Sequence, residues 1–347
     1  MLYLIRRPHN PTKFFPFREC LGDCHYSMVF CTKTAKGPNM IKCTHMKKII
    51  IGLVILVVVL AGALVYFLTD KDTKEPIPEN TMEQNEVPEV TSEEPEEEGP
   101  ETTLGTSVEG RPIMAYNYGD GEERLVFVGG IHGGYSWNTV LVAYELMDHL
   151  EKNPEVIPDN VRVTVIPVMN PDALSVVVDS DGRFESGDVS VAKAKTIESR
   201  LNANDVDLNR NFDCDWQEEG TWQSRTVSGG DSVFSEPESQ AIRNYIASTT
   251  PAGVVVWYSA AGGVFASSCH NSVSKETSDL TQIFAEASGY KAYEEFYFYE
   301  ITGDMVNWLA KEKIPAISVL LSNHTEVEWD KNRKGVEALL NYYAKTE

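Results

Sequence analysis

Residues 129–139 read GGIHGGYSWNT, and the reading of the folded part of this chain turns on them. An apolar run, residues 125–131 (LVFVGGI), leads into a histidine on a glycine-rich turn, and residues 138–153 follow with the spacing of an amphipathic helix. Strand, tight turn and helix in that order place His132 at the carboxyl end of a sheet strand, where α/β folds collect their ligands. No acidic residue stands beside it.

Three further apolar runs, residues 161–168, 253–260 and 316–321, are separated by helical patterns. That alternation predicts a largely parallel or mixed α/β sheet with helices on both faces. Ser235-Glu236-Pro237-Glu238 reads as a helix start with Ser235 as the cap. Residues 331–345 close the chain with Val336, Leu339, Leu340 and Tyr343 on one face. The strand ends, taken in order, carry His132 and Ser136, then Asn170-Pro171-Asp172, then Trp257-Tyr258-Ser259, then residues 320–323. Between the second and third lies DLNRNF, residues 207–212, with polar groups bunched on a loop.

Working outward, residues 49–68 (IIIGLVILVVVLAGALVYFL) are twenty residues without a charge. At 1.5 Å rise per residue they span roughly 30 Å, the thickness of a bilayer core. Lys42, Lys47 and Lys48 precede the run, and Asp70, Asp72 and Glu75 follow it. The excess of Lys on the first side predicts a cytoplasmic amino terminus and an extracytoplasmic bulk. A cleaved signal peptide with Ala61–Ala63 as the small-residue site is the competing reading. The apolar run continues for five residues past Ala63, which favours an uncleaved anchor. Residues 1–45 show no sustained period, and Met46 with its MKKIII is an ordinary beginning for an anchor, so synthesis is expected to start there.

Residues 69–103 carry thirteen Asp/Glu, two Lys and five Pro, a composition that cannot bury a core and predicts a disordered acidic linker. This segment supplies half of the formal charge of −22, so the acidity describes a solvated stalk, and nucleic acid is excluded as a partner. The folded domain is then residues 104–347. Beyond the span the only cysteines are Cys214 and Cys269, and in an oxidising compartment they are expected to pair. The loop so closed would contribute roughly 4 kcal/mol in the chain-entropy model.

With these pieces in order, GGIHGGYSWNT, VIPVMNPD, DVDLNRNF, FSEPE, WYSAAGG and SNHTEVEWD, the chain resembles the zinc metallocarboxypeptidase family, in particular its bacterial branch acting on peptides and cell-wall peptides. The resemblance implies a twisted mixed sheet of about eight strands between helix layers, with a groove at one end. It implies zinc held by two histidines and a glutamate, with a second glutamate as general base. His132 matches the first ligand. The companion acid falls on Ser136, the second histidine on Tyr258, and the general base on Leu320. A hydroxyl and a phenol stay protonated near neutral pH and are poor zinc ligands, and Leu320 has no proton chemistry.

The parts that hold substrate in the family are better kept. Asn209 and Arg210 match the pair that binds a terminal carboxylate, Arg200 the oxyanion-stabilising arginine, and Tyr299 the tyrosine that closes over substrate. A guanidinium presents a planar fork to a carboxylate, which is why arginine suits that place. The expectation is therefore a membrane-anchored carboxypeptidase fold that has lost hydrolysis, needs no cofactor, and binds peptide or peptidoglycan-derived peptide ends through a free carboxylate. Ser136 and Tyr258 are expected to hydrogen-bond His132 in place of a metal. An active enzyme with a metal site rebuilt through Glu300 or Asp304, and a surface scaffold with an idle groove, are the alternatives.

Overall fold

The structure, a computed structural model, describes residues 99–180 and 182–344. The apolar run at 49–68, the segment before it and most of the acidic stretch lie outside the described residues. Among the described residues no helix is long and apolar enough to cross a membrane.

The strands are β1 (Glu101–Thr106), β2 (Pro112–Tyr118), β3 (Glu123–Val128), β4 (Val161–Ile166), β5 (Glu219–Trp222), β6 (Arg225–Ser228), β7 (Gly253–Ser259), β8 (Gly263–Ala266), β9 (Lys291–Tyr293) and β10 (Ala316–Leu321). The α-helices are α1 (Trp137–Lys152), α2 (Pro171–Ser175), α3 (Pro237–Thr249), α4 (Lys275–Ser288), α5 (Met305–Lys311) and α6 (Trp329–Tyr343). Eight strands form one mixed sheet in the order β1-β2-β4-β3-β7-β10-β8-β9, and β5 pairs with β6 apart from it.

The four apolar runs of the sequence are the four central strands, β4, β3, β7 and β10, and they pair in parallel. Their continuous apolar character follows from helices covering both faces, which leaves no position facing water. Side chains alternate between faces. Leu125, Phe127, Trp257 and Val319 pack with α1, α4 and α6, whereas Val126, Val128, Val256, Tyr258 and Leu320 pack with α3 and α5. Tyr258 and Leu320 are register partners across β7 and β10, so sequence parity alone puts them side by side on the second face.

After β3 the chain moves to β4 on one side, while β7 lies on the other side of β3. This reversal of strand order opens a crevice at the carboxyl end of β3, where His132 stands. The glycines make the turn possible. Gly133 has φ 41°, and a Cβ there would lie 2.4 Å from the Cβ of Ala173 on α2.

Two expectations shift. The domain begins at β1, so residues 101–103 are strand and not linker. Helix α3 starts at Pro237 with Glu236 as its cap residue, not Ser235. Ser235 donates to the Glu236 carboxylate, and Glu238 accepts from Val108 N–H and Asn202 Nδ2 instead of folding back on the helix end. The other expected helices hold within a few residues, and Val336, Leu339, Leu340 and Tyr343 of α6 are buried on one face.

Candidate functional site at the carboxyl end of the central strands

Strand ends and three loop segments bring His132, Arg200, Asn209, Tyr258, Tyr299 and Leu320 to a single cavity of about 230 Å³. Ser136 and Arg210 do not line it. The cavity also takes Ser318, two residues before Leu320 on the same face of β10, and Asp304 at the start of α5.

The loop at 207–212 is built around Asp207, which is fully buried. Its Oδ1 accepts from the Asn209 backbone N–H at 3.2 Å and caps the short 3-10 turn Leu208–Arg210. Its Oδ2 accepts from Arg200 Nε at 3.0 Å and Nη2 at 2.7 Å. Burial alone would push this carboxyl up. The Arg200 guanidinium, with His132 and Arg210 nearby, reverses that and holds it well below the usual carboxylate range. Arg200 is thereby committed to Asp207, and its guanidinium lies 4.4 Å from the Trp222 ring centre. The buried carboxylate that the loop must neutralise is satisfied by Arg200, and not by Arg210.

His132 is buried, with Nε2 3.4 Å from Asp207 Oδ1. The approach is too long and misaligned for a formed hydrogen bond, and neither ring nitrogen bonds to a protein group. Burial first, then the Arg200 charge, lowers its pKa to about 4 against the pull of Asp207, so the imidazole is neutral near pH 7. Its ring centre is 5.7 Å from that of Tyr258. The expected hydrogen bonds to His132 are not made. The Tyr258 hydroxyl donates instead to Asn209 Oδ1 at 3.1 Å, and Ser136 Oγ, also buried, has no protein partner. Both depart for one reason: Ser136 follows His132 on the same tight turn and is too short to return to the ring, while the longer phenol reaches past it.

Arg210 is 1 % exposed and donates to the backbone carbonyls of Asn209 and Thr221, each at 2.9 Å. The Tyr299 ring lies over it, its centre 5.9 Å from the guanidinium carbon. Asp304, 4 % exposed, caps α5 by accepting from Asn307 N–H at 3.1 Å. Burial pushes its carboxyl up to about 6 despite Arg210 and the backbone donors of Asn307 and Val306.

Zinc requires several deprotonated donors on one point. Around His132 stand the Asp207 carboxylate, already paired with Arg200, a hydroxyl, a phenol that burial drives well above its ordinary pKa, and the apolar Leu320. Among the described residues no group of three or more His, Cys, Asp or Glu could hold a metal ion. Glu300 and Asp304 line the cavity but bring no second imidazole, and Asp304 is committed to capping. These residues do not fit zinc. What the cavity wall can offer an anion is the Asn209 amide, with the Arg200 guanidinium beside it already paired to Asp207.

Cys214 and Cys269 form a disulfide, with Cα atoms 6.1 Å apart. The bond ties the 207–214 loop to the segment after β8. The residues that sequence reasoning passed over are Ser318 and Trp222. Ser318 was within reach, since it shares the parity of Leu320. Trp222 sits on β5, which has no apolar run to announce it.

Comparison with known proteins places this geometry. Residues 100–329 match the family model described as zinc carboxypeptidase. Gamma-D-glutamyl-L-diamino acid endopeptidase 1 of Lysinibacillus sphaericus is 23 % identical over 217 residues, covering 57 % of this chain and 54 % of that protein, so the chain spans about half the length of this relative. The murein-tripeptide amidase MpaA of Escherichia coli O157 superposes with a TM-score of 0.51 at 21 % identity, over 72 % of this chain and 94 % of that one. Carboxypeptidase A of Helicoverpa armigera gives 0.52 at 19 %, over 70 % and 66 %. At such identities the structural likeness speaks for the fold, whereas the family match covers well over half of the chain: it belongs to the zinc carboxypeptidase family.

Proposed function

We propose that this chain is a membrane-anchored, extracytoplasmic member of the family that binds peptide ends by their free carboxylate and does not hydrolyse them. One observation carries the reading: the cavity keeps donors for a carboxylate, Asn209 foremost, while Ser136, Tyr258 and Leu320 occupy the positions where the family resemblance puts two zinc ligands and the general base. His132, its pKa lowered to about 4 by burial and the Arg200 charge, is a weak base toward water. A lost general base alone typically costs 10²–10⁴-fold in rate.

Peptidoglycan-derived peptides are the favoured ligand class. The two bacterial relatives are named for a diamino acid peptide and a murein tripeptide, and Glu295 and Glu300 on the cavity wall would suit a cationic side chain. The disulfide supports an oxidising, extracytoplasmic compartment, and residues 49–68 would serve as anchor with the amino terminus in the cytoplasm.

Titration calorimetry of the full chain with N-acetyl-Ala-Ala-Lys and its carboxamide tests the reading. Binding of the acid at least tenfold tighter than the amide, with both peptides recovered intact after incubation, is the expected result. Equal affinities end the carboxylate reading, and release of free lysine ends the claim of inactivity.

A further inference from the structure

Asn209 has a carboxamide whose orientation is settled by its partners. The backbone N–H of Met305 can only donate, and it lies 3.2 Å from the atom placed as Oδ1. The accepting atom must therefore be oxygen, and the NH₂ group points the other way. The Tyr258 hydroxyl reaches the same oxygen at 3.1 Å, so Oδ1 takes two donors. Among the described residues no group accepts from Nδ2, and Asn209 lines the cavity. A buried amide with its oxygen doubly satisfied and its NH₂ unspent is a donor waiting for an acceptor.

Tyr258 stands where the family resemblance calls for a zinc-binding histidine, yet it is not an empty substitution. Its ring packs in the core face of β7, and its hydroxyl donates to Asn209 Oδ1, so phenol and amide form a pair that ends at the cavity. Leu320, the register partner of Tyr258, is consistent with an anion there, because an ionised carboxylate at that place would repel one.

We propose that Tyr258 is a positioning residue for ligand binding: by donating to Asn209 Oδ1 it fixes the amide so that Nδ2 presents its N–H groups to the carboxylate of a peptide end. The inference rests on the carboxylate-binding reading above and adds to it that the former metal position has become part of the anion site. Arg210 does not line the cavity and Arg200 is paired with Asp207, so the Asn209 amide is the unspent donor that an entering carboxylate meets.

Tyr258→Phe removes only the hydroxyl and keeps the ring in the core. In the full chain, titrated with N-acetyl-Ala-Ala-Lys and its carboxamide, this variant should bind the acid roughly five- to twentyfold more weakly than the natural chain, as expected for one hydrogen bond aligned on a charged ligand. Affinity for the amide should not move. In nitrogen-15 spectra the Asn209 side-chain NH₂ resonance should shift on adding the acid to the natural chain, and broaden or fail to shift in the variant. Equal loss for acid and amide means that Tyr258 serves structure only and overturns the proposal. Intact discrimination in the variant overturns it too, while leaving the carboxylate reading standing. Absence of discrimination in the natural chain brings down both.

Discussion

Asp304 and His132 lie on the same cavity, and burial moves them in opposite senses. Asp304 rises from 3.8 to about 6, so between those values the folded protein keeps a proton that the unfolded chain has already lost. Its contribution to stability is complete below about pH 4 and is lost as pH climbs through about 6. His132, lowered from 6.5 to about 4, does the reverse: its contribution is complete above 6.5 and is lost as pH falls toward 4. The two slopes partly cancel, so the natural chain hides them and a variant exposes one. Asp304→Asn retains a side chain able to cap α5 and removes the cost of ionising a buried carboxyl. Relative to the natural chain it should gain on the order of 2–3 kcal/mol between pH 4 and pH 7.5, read from urea unfolding at both values. A gain that is the same at the two pH values would mean that Asp304 does not titrate in this window. At this scale the sequence was informative about which side chains meet and uninformative about their partners. Six motif residues converge on one cavity. That Arg200 and not Arg210 neutralises Asp207, and that Tyr258 turns to Asn209 and not His132, depends on reach across a fold and leaves no trace in spacing.

The turn between β3 and α1 shows what an element demands of its residues. Gly133 sits at positive φ with α2 pressed against it, and a Cβ would fall 2.4 Å from Ala173 Cβ and 2.7 Å from Leu174 N. Backbone cannot yield as a flexible side-chain tip does, so Gly133→Ala should cost roughly 1–3 kcal/mol in a urea melt. It should also displace His132, one residue away, visibly in its ring-proton NMR signals. A variant as stable as the natural chain would show that α2 can back off. The central strands were legible because burial on both faces forces unbroken apolar runs. The outer ones were not. β1 and β2 are half-exposed, β8 and β9 are four and three residues long, and β5 and β6 alternate over four residues each, too short for any period to stand out. The start of α3 was displaced by one because Pro237 fixes the first helical position and makes Glu236, not Ser235, the residue before it.

For the whole domain, the question is whether a scaffold whose strand-end residues do not fit zinc has the shape to take it. The eight-stranded sheet and the strand reversal at β3 are present, the Asp207 carboxylate lies 3.4 Å from His132 Nε2, and a carboxylate behind an imidazole, once bonded to it, is a usual support of a metal ligand. Ser136 and Tyr258 stand at one turn's distance in sequence from His132 and at the end of β7, where a Glu and a His would complete three donors. In Ser136→Glu, Tyr258→His the new carboxylate would replace a hydroxyl that is 1 % exposed and has no protein partner, so the metal-free variant should be less stable than the natural chain. Zinc bound only by the folded form then restores stability by RT ln(1 + [Zn]/Kd), roughly 2.7 kcal/mol at a hundredfold excess over Kd. The variant should therefore melt several degrees higher with zinc and retain about one equivalent after dialysis. The natural chain should show neither effect. Zinc retained stoichiometrically by the natural chain would mean that its ligands are residues other than those at the ends of β3, β7 and β10, and the proposal of a non-hydrolytic site would fall with that assignment. A variant that folds yet ignores zinc would mean that the backbone around these positions does not bring three donors to coordination distance.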